Sequence, residues 1–255
     1  SLTVDSKGYL HVVYFPHHHP FRYRRSLEPN DATRWSPEIN IGQKLTYPTL
    51  VCGQDDTLYL TGRRSYDGKP WSIEFWKKPV GGDWQPRGVL VRSAAPGYSH
   101  FQEAMCWGPD HKRLHLSCRI HENGGSIETV GYLRSDDGGQ SWQRLDGTTV
   151  ALPATAKTID TIASGGRVSG KHSHKCGSIA VSPQNIPHIL YSSTGEMFIA
   201  SPQGKNAWRH RPLAKIVDRL WPNFRVGPSA QITFNAAGHL FVTACITNDN
   251  RYDVI

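Results

Sequence analysis

The sequence predicts an all-β protein, a β-propeller of four-stranded antiparallel blades, and three observations lead there. Long helical periodicity is scarce, while short apolar runs, alternating or continuous and broken by Gly, Pro, Asn and Asp, recur along the whole chain. One unit repeats: a strand, a polar turn, then a second strand with an apolar centre. One turn, SDDGGQSW, has the residue types of a tightly tied hairpin.

The repeat is read in order as SLTVDSKGYLHVVY, TLVCGQDDTLYLTGRR, EAMCWGPDHKRLHLSCR, IAVSPQNIPHILYSS and ITFNAAGHLFVTAC. About five copies fit, spaced on the order of 45 to 65 residues, which is the range of a four-stranded blade. Further strand pairs are expected to finish the blades, for example SIEFWKKP before DWQPRGVLV and TVGYLRS before SWQRLDG. In SDDGGQSW, Ser135, Asp137, Gly139, Ser141 and Trp142 match the Asp-box pattern of sialidase-like propellers. There the Asp ties the turn backbone, Gly permits positive φ, and Trp packs between strands. The motif speaks for fold and is silent on catalysis. The expected domain is a single propeller over residues 1–255. Because the chain opens at SLTVDSKGYL, already inside a strand, that propeller is expected to be N-terminally incomplete.

Composition narrows the partners. The 255 residues are 38% hydrophobic and 10% aromatic, enough for a folded core. With 29 Lys and Arg against 21 Asp and Glu, the net charge of +8 favours a polyanion: nucleic acid, anionic lipid or acidic polysaccharide. No apolar run reaches the roughly 20 residues of a membrane span, and no nucleic-acid motif is present, so neither membrane nor nucleic acid is expected as partner. Five separated cysteines without a CxxC pair exclude a dense disulfide scaffold.

Registering the copies on Leu10-His11, Leu58-Tyr59, Leu114-His115 and Leu240-Phe241 places Tyr47, His100 and Arg225 at one upstream position. The fourth copy, counted from Pro187-His188, adds His174. These four are expected at the channel mouth, where the innermost strands of a propeller begin. Just past the second strand stand Arg63 and Arg119, and one step further His17 and His121. Arg grips carboxylate or sulfate bidentately, and His and Tyr move protons, so such a set suits an acidic glycan. His18, His100, Arg119, His121 and Arg225 are the candidate substrate-binding residues. The stretch PHHHPFRYRRS would supply a substrate-facing His from His17, His18 or His19, with Arg22, Arg24 and Arg25 directed outward. Separately, KHSHKC sets His172, His174 and Cys176 on one face of a strand. With Cys245 or Cys106 as fourth ligand they could hold a structural zinc, and no cofactor is expected for the chemistry itself.

The run VDSKGYLHVVYFPHHHPFRYRRS, followed by TYPTL and LYLTGRRS, resembles the BNR-4 type propellers that include the ulvan lyases. The resemblance spans most of the chain and is densest over residues 1 to 65. It implies a propeller of about seven blades, hence here an incomplete chain or a smaller relative. It also implies cleavage on the C4 side of a uronic acid by β-elimination. Tyr47 matches the family's Tyr-Pro, Arg63 its following Arg, and His17 its second His, with His18 and His19 as close competitors. The family's first His would fall before Ser1, outside this chain. Tyr47 is then the candidate acid/base, and His17 and Arg63 bind and neutralise the carboxylate. The resemblance further implies a secreted or periplasmic protein; oligomeric state is left open. Two readings compete. A sialidase would need a Tyr/Glu nucleophile pair, for which Glu103 and Glu122 are weak partners. A non-catalytic glycan-binding propeller would keep the Arg and aromatic residues without a use for Tyr47.

Overall fold

The computed structural model describes residues 1–167, 170, 173–248 and 251–255. The chain falls into two compact units, residues 1–101 with 152–155, and residues 102–151 with 156–255. All five expected hairpins form, because each polar turn interrupts apolar runs short enough to be strands.

The first unit is one antiparallel meander of seven strands: β1 (Leu2–Val4), β2 (Leu10–Tyr14), β3 (His19–Arg25), β4 (Ile39–Cys52), β5 (Leu58–Arg64), β6 (Ser72–Lys78) and β7 (Gln85–Arg92). Its length hides two four-stranded repeats that share β4. Residues Ile39 to Leu45 pair with β3, Leu45 to Cys52 pair with β5, and the second register shifts between Thr46 and Thr49. The break lies at Tyr47, whose φ of 58° is left-handed. A β-bulge here bends the strand and turns a side chain out of the sheet plane. Below it Val13, Phe21, Leu45, Leu50, Leu60 and Trp76 form the core. Gly62 is required on β5, since a Cβ there would collide with the Phe21 ring.

The second unit holds three sheets. The first runs β8 (Gln102–Trp107), β9 (Leu114–Glu122), β10 (Ile127–Ser135) and β11 (Asp160–Gly165); the second β12 (His174–Val181), β13 (Pro187–Ser193), β14 (Glu196–Pro202) and β15 (Trp208–Pro212). The third runs β16 (Arg225–Phe234), β17 (Leu240–Asn248) and β18 (Arg251–Val254), and a short helix, α1 (Ala214–Leu220), precedes it.

One strand expectation is corrected. SWQRLDG does not complete its sheet, because the Asp box folds it straight back: Arg134 and Gln143 exchange backbone hydrogen bonds of 2.9 and 2.8 Å, and β11 takes the edge instead. In the box, the Ser135 hydroxyl donates to Asp137 at 2.7 Å and accepts from the Gly139 N–H at 2.7 Å, while the Ser141 N–H donates to Asp137 at 2.9 Å. Gly138 and Gly139 supply the positive φ, and Trp142 is fully buried. Burial opposes the Asp137 charge, but the hydrogen bonds from Ser141, Ser135 and Gln140 outweigh it and hold the carboxyl below its ordinary value.

The registered Leu-His positions prove structural. His11 Nδ1 lies 2.7 Å from the Tyr23 hydroxyl, and His115 Nδ1 lies 2.7 Å from the Tyr132 hydroxyl. Burial pushes the His115 pKa down to about 4, so it stays neutral and serves as a buried hydrogen-bonding post.

Candidate functional site

In the first unit the β2–β3 turn, the β4 bulge and the end of β5 bring His17, His18, Tyr47 and Arg63 together. Arg63 is only 1% exposed. Its guanidinium carbon sits 4.7 Å from the Tyr47 ring centroid and 4.9 Å from that of Trp71, with the Tyr98 ring at 5.8 Å. Arg63 Nε donates to Thr46 Oγ1 at 2.8 Å, and Nη2 faces His17 Nε2 at 3.5 Å. Among the described residues it has no carboxylate within ion-pair reach. Quadrupole attraction from aromatic faces accounts for part of what a buried cation requires; a full counter-charge is missing.

Tyr47 covers this cation and is itself exposed. Its ring contacts His17, at 5.8 Å between centroids, and His100, at 5.4 Å. Left-handed φ at a residue with a bulky side chain, directly before a proline, costs of order 1–3 kcal/mol, and what it achieves here is to point the ring over Arg63. His17 and His18 meet edge to face at 4.2 Å, and His18 also takes φ 61° in the turn. His18 Nδ1 lies 2.7 Å from Ser65 Oγ. Burial, the neighbouring His17 and the Arg63 charge together hold the His18 imidazole below its ordinary pKa.

The second unit takes up the other registered residues differently. Arg119 Nη2 donates to Glu128 Oε1 at 2.5 Å and His121 Nδ1 donates to the same oxygen at 2.9 Å. Glu128 Oε2 accepts from the His174 N–H at 2.8 Å and from Ser173 Oγ at 3.0 Å. All of these side chains are buried. Burial opposes the Glu128 charge, yet the His174 N–H, His121 and Arg119 overcome it and hold the carboxyl well below the carboxylate range. Arg119 and His121 are thus committed to an internal carboxylate that closes β9 against β10 and reaches the start of β12. Arg225 opens β16 with its side chain exposed.

Of the zinc candidates, His172 lies outside the described residues. Among the described residues no cluster of three or more His, Cys, Asp or Glu side chains could hold a metal ion. His174 Nδ1 donates to Ser173 Oγ at 2.7 Å and Nε2 accepts from Ser193 Oγ at 3.3 Å, so both ring nitrogens are engaged. Cys176 is packed with Val130, Ile179 and Tyr191, and burial pushes its thiol up to about 12.

Registration thus brings Tyr47 and His100 into contact, and it places Arg63 and His17 beside them. Trp71, Tyr98, Thr46 and Ser65 escaped the reading, because three of them lie outside the repeat's strand pair. Glu128 escaped it too, although a single acid in the apolar run of β10 opposite His121 was the available signal.

A family model described as a BNR repeat-containing family member matches residues 1–216. Among curated proteins none matches the chain. The structure is similar to that of a PL25 polysaccharide lyase, an ulvan lyase bound to GlcA(1-4)Rha3S, with TM-score 0.68 and 15% identity over 100% of this chain and 68% of that one. It is also similar to polysaccharide lyase Uly1, at TM-score 0.54 and 12% identity over 99% and 75% of the two chains. A third similarity is to the GH93 α-L-arabinofuranosidase of Fusarium graminearum in complex with arabinobiose, at TM-score 0.60 and 13% identity over 98% and 74%. At these identities the likeness speaks for the fold, the β-propeller class expected from the repeats. The match over most of its length makes the chain a member of the BNR repeat-containing family.

Proposed function

We propose that this protein is a polysaccharide lyase that cleaves an acidic, uronate-containing and sulfated glycan by β-elimination. The observation that carries the reading is Arg63, a buried guanidinium with no carboxylate partner among the described residues, lying under an exposed Tyr47 and beside His17. An uncompensated buried cation favours an anion arriving from outside. A uronate carboxylate provides one, and its neutralisation is what makes the adjacent C5 proton removable. Arg63 then acts as a fixed charge beneath the site, His17 as a donor to the carboxylate, and Tyr47 as the proton-transferring hydroxyl. His18 and His100 flank the sugar.

The similarity in fold to ulvan lyases supports the substrate class. The basic composition supports a polyanionic partner. Among the described residues no helix is long and apolar enough to cross a membrane, and a polymeric substrate calls for a secreted or periplasmic enzyme. A glycan-binding propeller is the second reading, favoured by the exposed Tyr98 and Tyr47 as stacking surfaces. A sialidase fits less well, since the Tyr47 hydroxyl has no carboxylate hydrogen-bond partner among the described residues. A structural zinc at His174 and Cys176 would have to displace two serine hydroxyls and ionise a buried thiol; elemental analysis of protein purified without a metal-affinity step measures it.

The test is incubation with a panel of uronate polysaccharides, following the ultraviolet absorbance of the conjugated 4,5-unsaturated product. Tyr47→Phe is expected to lower turnover by about 10²- to 10⁴-fold, and to change affinity by no more than ~0.5–1.5 kcal/mol. Near-full turnover by Tyr47→Phe removes Tyr47 from the chemistry. Binding without any unsaturated product converts the enzyme into a binder.

A further inference from the structure

We infer that Ser65 holds His18 as its Nδ1–H tautomer and leaves the Nε2 lone pair of His18 as the proton acceptor of the site. This rests on the lyase reading and names its base.

The hydrogen bonds of Ser65 point to the tautomer. Ser65 follows β5 and is buried; its N–H donates to the Lys44 carbonyl at 3.1 Å and its hydroxyl to the same carbonyl at 3.2 Å. A carbonyl only accepts, so the two contacts of the Ser65 oxygen are both hydrogen bonds at once only when its single proton is directed to Lys44. In that arrangement, which satisfies both contacts, the serine oxygen offers a lone pair to His18 Nδ1 at 2.7 Å and that nitrogen carries the proton. A neutral imidazole has one N–H, so Nε2 keeps its lone pair. No hydrogen-bond partner takes that lone pair among the described residues.

The adjacent histidine is in the opposite situation. His17 Nε2 faces Arg63 Nη2, which can only donate, so its lone pair is directed at the guanidinium. Of the two turn histidines, one is oriented by the buried cation and the other is left basic. Burial and the neighbouring positive groups also favour the uncharged, base-competent form of His18 at neutral pH. Trp71, in edge contact with His18 at 5.8 Å, limits the ring's rotation.

In the reaction, His18 Nε2 takes the C5 proton and the C5–H electron pair becomes the C4=C5 π bond. The C4–O4 bond breaks with its pair on O4, and O4 receives the Tyr47 hydroxyl proton. Solvent then returns a proton to the Tyr47 phenolate and removes one from the His18 imidazolium. Ser65 is a positioning residue, since it acts through His18.

The test combines spectroscopy with rescue. In ¹⁵N-labelled protein without any glycan, His18 should show the Nδ1–H tautomer, and Ser65→Ala should shift it towards Nε2–H while Ser65→Thr keeps it. His18→Gly, chosen because glycine accepts the turn's positive φ, should lower kcat by about 10²- to 10⁴-fold, with KM little changed, and added imidazole should restore part of it. Ser65→Ala should lose roughly tenfold in kcat, the weight of one positioning hydrogen bond. A wild-type His18 in the Nε2–H form, a His18→Gly variant with near-full elimination, or one that imidazole does not rescue would overturn the assignment while leaving the lyase intact. If no uronate polysaccharide yields unsaturated ends, the lyase reading fails, and the ¹⁵N spectrum still decides whether Ser65 sets the tautomer.

Discussion

Arg63 on β5 and Arg119 on β9 stand near the ends of equivalent second strands, and both are about 1% exposed. Arg119 meets Glu128, which also gathers His121, Ser173 and the His174 N–H. Arg63 meets three aromatic rings, the Thr46 hydroxyl and a histidine nitrogen. Desolvating a guanidinium costs several kcal/mol, so each arginine needs compensation. One repeat builds the anion into the adjacent strand; the other surrounds the cation with polarisable faces and exposed proton-transferring groups. The same position in the repeat therefore serves structure in one unit and, on the proposed reading, a ligand in the other.

The comparison breaks most visibly at Glu128. Glu128→Ala takes from the buried Arg119 its 2.5 Å carboxylate partner, and the expected loss is about 3–5 kcal/mol of folding stability, measured by denaturant unfolding of the whole chain. Acid should produce the same failure. The folded-state pKa of Glu128 is depressed, so its contribution is complete above the ordinary carboxylate pKa and disappears as pH falls below it towards the folded value. Wild-type stability should thus decline through the acid range, and Glu128→Gln should flatten that part of the curve. An unchanged acid limb in Glu128→Gln means that other groups govern it.

A smaller effect should come from adding the missing anion. An acidic oligosaccharide at a hundredfold excess over its Kd should raise stability by about 2.7 kcal/mol if it binds the folded state alone. Arg63→Met should lose most of this gain. Equal stabilisation of the wild type and the variant would mean that the glycan binds elsewhere.

Much of this contrast was legible in the residues. Strand period and turn chemistry are local, so the copies could be registered, and registration alone aligned Arg63 with Arg119 and put Tyr47 near His100. What stayed hidden depends on cross-strand and loop geometry. Glu128 lies on the third strand of its repeat, where pairing opposite His121 is set by a register that sequence does not display. Trp71 and Tyr98 reach Arg63 from outside the registered hairpin. The choice among His17, His18 and His19 depends on a turn held by the His19 N–H to Pro16 carbonyl bond of 3.2 Å and on the left-handed φ of His18. The continuity of β4 through Tyr47, which joins two repeats into one sheet, was equally invisible, because a bulge residue carries no compositional mark when it is not glycine.

The smallest expected effect is the most discriminating. Arg63→Met keeps the aliphatic stem and removes the charge. It gives up a hydrogen bond to Thr46 worth about 1 kcal/mol and aromatic contacts worth about 0.5–2 kcal/mol. It also relieves the desolvation of a guanidinium that has no carboxylate counter-ion among the described residues, a cost of similar size. The net change in folding stability should therefore be within ~1 kcal/mol, while affinity for acidic glycan and turnover both fall, because a charge beneath the site acts on ground state and transition state alike. Arg119→Met is the matched control. It takes the guanidinium from a buried Glu128 carboxylate that keeps its hydrogen bond from His121, and should cost about 3–5 kcal/mol. If the two variants are destabilised equally, the Arg63 cage is a structural device like the Arg119 pair, and the asymmetry on which the functional reading stands disappears.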